Sequence, residues 1–359
     1  MIADGMSPSS PAPHTPAVPS APLTPGALGA TYVRVTETVP LLMVTVDTEE
    51  EFDWFAPLSR GGTSVEAMRA VERGQRIFDR FRVRPTYVID YPVATQPTGY
   101  NPLVAFARED RGQIGAHLHP WVTPPFDEPV DRFHSYGCNL SPAVERAKML
   151  RLRDAIAERT GFMPTVYKAG RYGLGAQTVQ SLLELGFDTD VSINPTLPPS
   201  ADGGPSFQAF DSRPFILGGG RLLELPCTHG YQGWAGPLMP SLHTVASSPI
   251  GEAIKAPGVL ARLRAVNRIM LSPEGSTLDE MIRLTRQLVG QGLRVFSLTF
   301  HSPSLDVGHT PYVRSQEQLQ QFLRTIEAYC EYFFGELRGL ASTPADFRAK
   351  FVAGQVHDA

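Results

Sequence analysis

Residues 41–54 read LLMVTVDTEEEFDW. Six apolar or β-branched residues, 41–46, run straight into a carboxylate, Asp47, and then into an acidic cluster. A short continuous apolar run of this kind suits a strand buried on both faces. The same pattern recurs downstream, at residues 86–89, 113–116, 166–169, 189–193, 222–225 and 295–300. Longer stretches with helical periodicity lie between the runs or after the last, at 65–81, 102–109, 142–159, 176–185, 277–289 and 316–334. Strands that alternate with helices are joined by crossovers and lie parallel. Seven such strands fit one α/β domain built as a closed or nearly closed barrel; a doubly wound open sheet is the alternative.

What ends each run carries the chemistry. The first ends in Asp47, the third in His117 and His119 (GQIGAHLHPW), and the fourth in Arg171 (VYKAGRYG). Asp190 lies in the fifth, His229 follows the sixth, and His301 ends the seventh (VFSLTFHSPS). Parallel strands bring all of these groups to one end of the sheet, where barrels and open sheets place their sites. Along an extended chain residues i and i+2 project to the same side. His117 and His119 can therefore face one point, and so can Asp47 and Glu49, with Glu50 and Glu51 as neighbouring alternatives. Two imidazoles and a carboxylate make a set suited to a divalent metal, Zn²⁺ first among them.

The rest of the sequence bounds the answer. The 359 residues carry 32 Lys+Arg and 36 Asp+Glu, a formal charge of −4. That balance argues against a nucleic-acid partner. No apolar run approaches the ~18 residues of a membrane span. Residues 1–33 hold seven prolines and one charged residue, Asp4, and read as a disordered Pro-rich tail. The barrel domain is expected over 34–340 and a C-terminal extension over 341–359. Long Pro/Gly-rich insertions at 194–220 and 230–258 both follow strands, where they would shape a cleft. Cys138, Cys227 and Cys330 have no metal-knuckle spacing and read as free thiols. The N-terminus lacks a basic and then apolar leader, so a cytoplasmic location is the expectation.

Four segments, VTVDTEE (44–50), GAHLHPW (115–121), AGRYG (169–173) and TFHSPS (299–304), occur in the order of the polysaccharide deacetylases. The chain resembles these nodulation-protein-B-like carbohydrate esterases over about residues 41–305, in a variant with D-x-E in the first motif. The resemblance implies a distorted (β/α)₇ barrel and metal-dependent hydrolysis of an N-acetyl or similar acyl group, from a carbohydrate or a small N-acylated substrate. By position it makes Asp47 the catalytic base, Glu49 and His117 metal ligands and His301 the general acid. The family's second histidine falls where Trp121 stands, so His119 takes its place. Arg171 matches the arginine that orients the base, the oxyanion amide would come from near Leu174, and Asp190 matches a supporting acid. Tyr172, Trp121 and Trp234 are further candidates for substrate contact. Two other readings are open: an amidohydrolase-type enzyme, which also uses H-x-H but with the order of its H-x-H and Asp strands reversed, and a non-catalytic glycan-binding barrel. The oligomeric state is left open.

Overall fold

The computed structural model describes residues 23–358 apart from 199, 201, 264, 353 and 355. The stretch read as a Pro-rich tail lies largely outside the described residues. The first strand, β1, is Thr31–Val35. The boundary drawn at residue 33 therefore falls inside a strand.

Seven parallel strands make the body of the fold. In chain order they are β2 (Leu41–Thr48), β3 (Thr86–Ile89), β4 (Gln113–Leu118), β5 (Val166–Ala169), β6 (Thr189–Asp190), β8 (Leu222–Glu224) and β11 (Val295–His301). They coincide with the seven apolar runs. Their order in the sheet is β11-β2-β3-β4-β5-β6-β8, every neighbouring pair parallel. The barrel is split between β8 and β11, which do not pair. The segment after β8 spans part of that gap: Ser297 N–H donates to Thr228 Oγ1 at 2.8 Å, and Thr299 N–H to the Leu271 carbonyl at 3.2 Å. Beyond β8 the sheet continues antiparallel through β7 (Phe215–Leu217) to β1. The result is the distorted (β/α)₇ barrel, with two additions that periodicity did not show. One is an antiparallel hairpin, β9 (His229–Gln232) with β10 (Asn267–Met270). The other is a set of three short helices between those two strands, Met239–Ala246, Pro249–Ala253 and Ala256–Arg262.

The helices between strands begin and end where local chemistry dictates. Pro142–Thr160 starts on Ser141, whose hydroxyl accepts from Val144 N–H, with Pro142 in the first turn, and stops at Gly161 in the left-handed conformation. Leu278–Gly290 opens on a reciprocal capping box between Thr277 and Glu280. The last long pattern is an α-helix over Gln316–Cys330 that passes into a π-helical turn, Glu331–Glu336.

The period of two along each strand sorts the core into layers. Leu41 and Met43 of β2, Val88 of β3, Val166 of β5, Leu223 of β8 and Val295 of β11 fill the lower barrel interior. Phe347, from the helix Pro344–Val352, is fully buried in the same cluster. The alternate residues, such as Leu42, Val44 and Val46, pack outward against the helices. Continuing the interior parity upward gives Asp47, His117, Lys168, Thr299 and His301. The interior is thus apolar at the bottom and ionisable at the C-terminal end of the strands. No helix among the described residues is long and apolar enough to cross a membrane.

Candidate metal centre and active site

Glu49, His117 and His119 converge at the top of the barrel, all buried, with ligand atoms within 4.8 Å of one another. Glu49 Oε2 lies 3.5 Å from His117 Nε2 and 3.4 Å from His119 Nε2. Each imidazole is held from behind. His117 Nδ1 lies 3.1 Å from the Lys168 carbonyl oxygen. A carbonyl only accepts, so the proton sits on Nδ1 and the Nε2 lone pair faces Glu49. His119 Nδ1 lies 2.7 Å from Glu50 Oε2, a carboxyl whose pKa burial raises to about 8, so the two share a proton near neutral pH. Asp90 in turn anchors Glu50, accepting its backbone N–H at 2.7 Å. Burial keeps both imidazoles neutral: it lowers the pKa of His117, and that of His119 to about 4. Glu49 Oε1 is buried without a hydrogen-bond partner. Two imidazole Nε2 atoms and an unsatisfied carboxylate oxygen drawn to one point fit a divalent cation, with the second histidine supplied by His119.

The three-glutamate run separates cleanly. Glu49 faces both Nε2 atoms, Glu50 backs His119, and Glu51 turns away to accept from the Ala67 N–H and the Ser64 hydroxyl. Glu50, Asp90 and His119 also lie close enough together to surround an ion. The direct Glu50–His119 hydrogen bond engages Nδ1, so in this arrangement the group backs the first site. Gly170 makes the approach of β5 to the site: a Cβ there would meet His119 Cδ2 and the Leu118 carbonyl oxygen, both at 2.4 Å.

Beside this cluster stand two charge pairs. The Lys168 ammonium bridges both Asp47 oxygens, at 2.6 and 2.7 Å, and donates to Thr299 Oγ1 at 3.1 Å. Burial alone would raise the Asp47 pKa. Lys168, helped by His117 and His301, outweighs it and holds the carboxyl below its ordinary value. His301 Nδ1 lies 2.7 Å from Glu274 Oε2, its backbone N–H donates to Glu274 Oε1, and its Nε2 faces Asp47 Oδ2 at 3.8 Å. Burial opposes the imidazolium, but Glu274, Glu49 and Asp47 prevail and raise the His301 pKa to about 10.

The groups open into a cavity of about 390 Å³. One wall is aromatic. Trp54 meets His301 edge-on at 5.1 Å between ring centroids and stacks on Phe52 at 5.2 Å. Leu197, Pro198 and Pro205 of the 194–220 insertion line the cavity as well, with Tyr172 and Met270. Arg171 and Tyr172 follow β5 in left-handed backbone, φ 53° and 59°, a conformation that costs energy in residues with a Cβ and recurs at functional sites.

Several sequence expectations are corrected here. Arg171 does not orient Asp47: its guanidinium pairs with Asp202 at 2.8 Å and stacks over Tyr136. Lys168, three residues earlier, holds Asp47 because it has the interior parity. Asp190 is one position out of that parity. It is in register with Tyr167 and Glu224, points away from the interior, and accepts from Ser192 Oγ. The Leu174 N–H is not free for an oxyanion, since it donates to the Tyr172 carbonyl at 2.8 Å. Trp121 is buried against His119, ring centroids 4.2 Å apart, and forms a floor beneath the ligand. Trp234 is 74% exposed and outside the cavity. His229 is buried and does not line the cavity; its Nδ1 lies against the Pro195 carbonyl. Missed in the sequence were Lys168, Glu274 and Asp90; Glu50, weighed there as an alternative metal ligand, instead backs His119. A lysine inside the apolar run VYKA was the available signal for the first, because an unpaired buried ammonium is too costly to keep.

No protein-family model and no curated protein matches the sequence. Solved structures do match the fold. A protein from Mycobacterium smegmatis assigned as a polysaccharide deacetylase superposes with a TM-score of 0.52 at 16% identity, over 93% of this chain and 96% of that one. A protein from Parabacteroides distasonis assigned as a glycoside hydrolase/deacetylase gives 0.52 at 12% identity, over 88% and 73%. The chain is similar to these proteins in fold, and its barrel is of the polysaccharide deacetylase type.

Proposed function

We propose that the protein is a metal-dependent deacetylase, hydrolysing an N-acetyl or similar acyl amide on a sugar or a related small amine. The observation that carries this reading is the convergence of three groups at one end of the barrel: the Glu49, His117 and His119 cluster, the Asp47–Lys168 pair and the His301–Glu274 pair. Glu49, His117 and His119 would hold the cation. Bound there, a divalent ion, Zn²⁺ by the character of its donors, supplies Lewis-acid polarisation of a carbonyl and brings the pKa of a bound water towards 7.

The chain's own groups divide the proton work. Asp47, kept ionised and oriented by Lys168, takes a proton from the attacking water. His301, kept charged by Glu274, hands a proton to the departing nitrogen as the C–N bond breaks. The products are a carboxylate and an amine. The two roles need opposite protonation states at one pH, and the two partners, an ammonium for Asp47 and a carboxylate for His301, push the pKa values apart in the required sense.

Release of acetate from N-acetylated sugars by the zinc-loaded protein tests the reading. Asp47→Asn is expected to retain zinc and to lose at least ~10²-fold in kcat, the usual range for a general base. Full activity in Asp47→Asn would remove Asp47 from the mechanism.

A further inference from the structure

The three helices between β9 and β10 are apolar on the outside. Leu238, Leu242 and Val245 are spaced four and three apart, Ile250 and Ile254 four apart, and Val259 and Leu263 four apart. Each set recurs at helical spacing along one of the short helices and the residue that flanks it, the spacing that a globular protein turns towards its core. Here every one of them is exposed, Val245 by 71% and Ile250 by 79%, and Trp234 stands at the head of the segment. Eight of the fourteen exposed large apolar side chains among the described residues fall in these thirty residues. Soluble monomers rarely leave contiguous apolar surface of this kind uncovered.

The charge of the segment indicates the cover. Residues 234–263 contain one acidic residue, Glu252, against two basic ones, Lys255 and Arg262, in a chain whose net charge is −4. Lys255 and Arg262 are exposed among the apolar stripes. Short amphipathic helices with apolar side chains outward, basic residues between them and a tryptophan at the margin have the composition of elements that lie in a bilayer interface. Two copies of this surface facing each other would bring like charges together, whereas an anionic leaflet complements them.

We propose that the 234–263 insertion is a membrane-docking surface that seats the protein on an anionic lipid bilayer without spanning it. Trp234 Nε1 donates to the Leu263 carbonyl at 3.0 Å, tying the helices to the end of the hairpin whose far end carries Met270 of the cavity wall. The docking stands apart from the reaction proposed above, and its test does not depend on turnover.

The test is flotation of the full chain with vesicles. The protein is expected to float with vesicles of equal parts phosphatidylcholine and phosphatidylglycerol, and to be released by high salt. With pure phosphatidylcholine it should float weakly. Ile250→Asp with Ile254→Asp removes exposed side chains only, so its circular dichroism should match the parent while flotation is lost. Lys255→Gln with Arg262→Gln should lower partitioning onto the anionic vesicles by roughly 30-fold, the effect of two basic residues at a charged surface. Three results would overturn the proposal: a parent protein that stays down with both vesicles, a folded double aspartate variant that floats as the parent does, or a parent dimer in light scattering that the same variant converts to monomer.

Discussion

Asp47 is the last interior position of β2, and its carboxylate lies under the ammonium of Lys168 rather than beside an arginine. That pairing has a measurable consequence. Removing the ammonium in Lys168→Met leaves burial unopposed by its largest counterweight, so the Asp47 pKa rises. A base works only when ionised. The acid limb of the pH profile of kcat/KM should therefore move to higher pH in Lys168→Met, with activity recovered in part as pH is raised. An unmoved acid limb would show that Lys168 does not set the ionisation of the base. At this scale the sequence was most legible where a polar residue ended an apolar run: Asp47, His117, His119 and His301 all reach the cavity. It was least legible where the partner of a charge comes from another strand or loop. Lys168 is 121 residues from Asp47 and Glu274 is 27 from His301, and no local pattern encodes those meetings.

At the scale of elements, all seven interior strands and six helical segments were readable from their apolar patterns, because each buries one or two apolar faces. The β9–β10 hairpin and its three short helices escaped, and β6 was read as a strand without its facing. The β9–β10 hairpin is short and half-exposed, with no continuous apolar run. β6 holds only two residues, too few for the alternation that would have shown Asp190 to point outward. Helix Pro142–Thr160 carries a titration of its own. Glu145 is fully buried on it, accepting from Thr178 Oγ1 at 2.6 Å, and burial raises its pKa from 4.5 to about 7. The folded state thus keeps a proton that the unfolded chain has released between those values. Stability contributed by the protonated form is present below pH 4.5, falls as pH rises to about 7, and is flat above. Glu145→Gln should remove that slope, and denaturant midpoints at pH 5 and pH 8 will show it. Parallel pH dependence in parent and variant would contradict the assignment.

For the whole molecule, the barrel is a layered solid: apolar at the bottom, ionisable at the top and open along one seam. The bottom layer includes a residue from outside the seven βα units. Phe347, in the stretch read as a C-terminal extension, is buried among Leu41, Val166 and Val295. Phe347→Ala should cost about 3–5 kcal/mol of stability by loss of burial and an unfilled cavity, measured by equilibrium denaturation. A loss below about 1 kcal/mol would mean that the helix Pro344–Val352 is not part of the core. The central claim is that the top layer holds one divalent cation between Glu49, His117 and His119. Diffraction at the zinc absorption edge, from crystals of the zinc-loaded protein, tests it most directly. The account predicts one anomalous peak about 2.0–2.2 Å from Nε2 of both histidines and from a Glu49 oxygen. A peak bound by other residues, or a zinc-loaded crystal with no peak at this cluster, would contradict it.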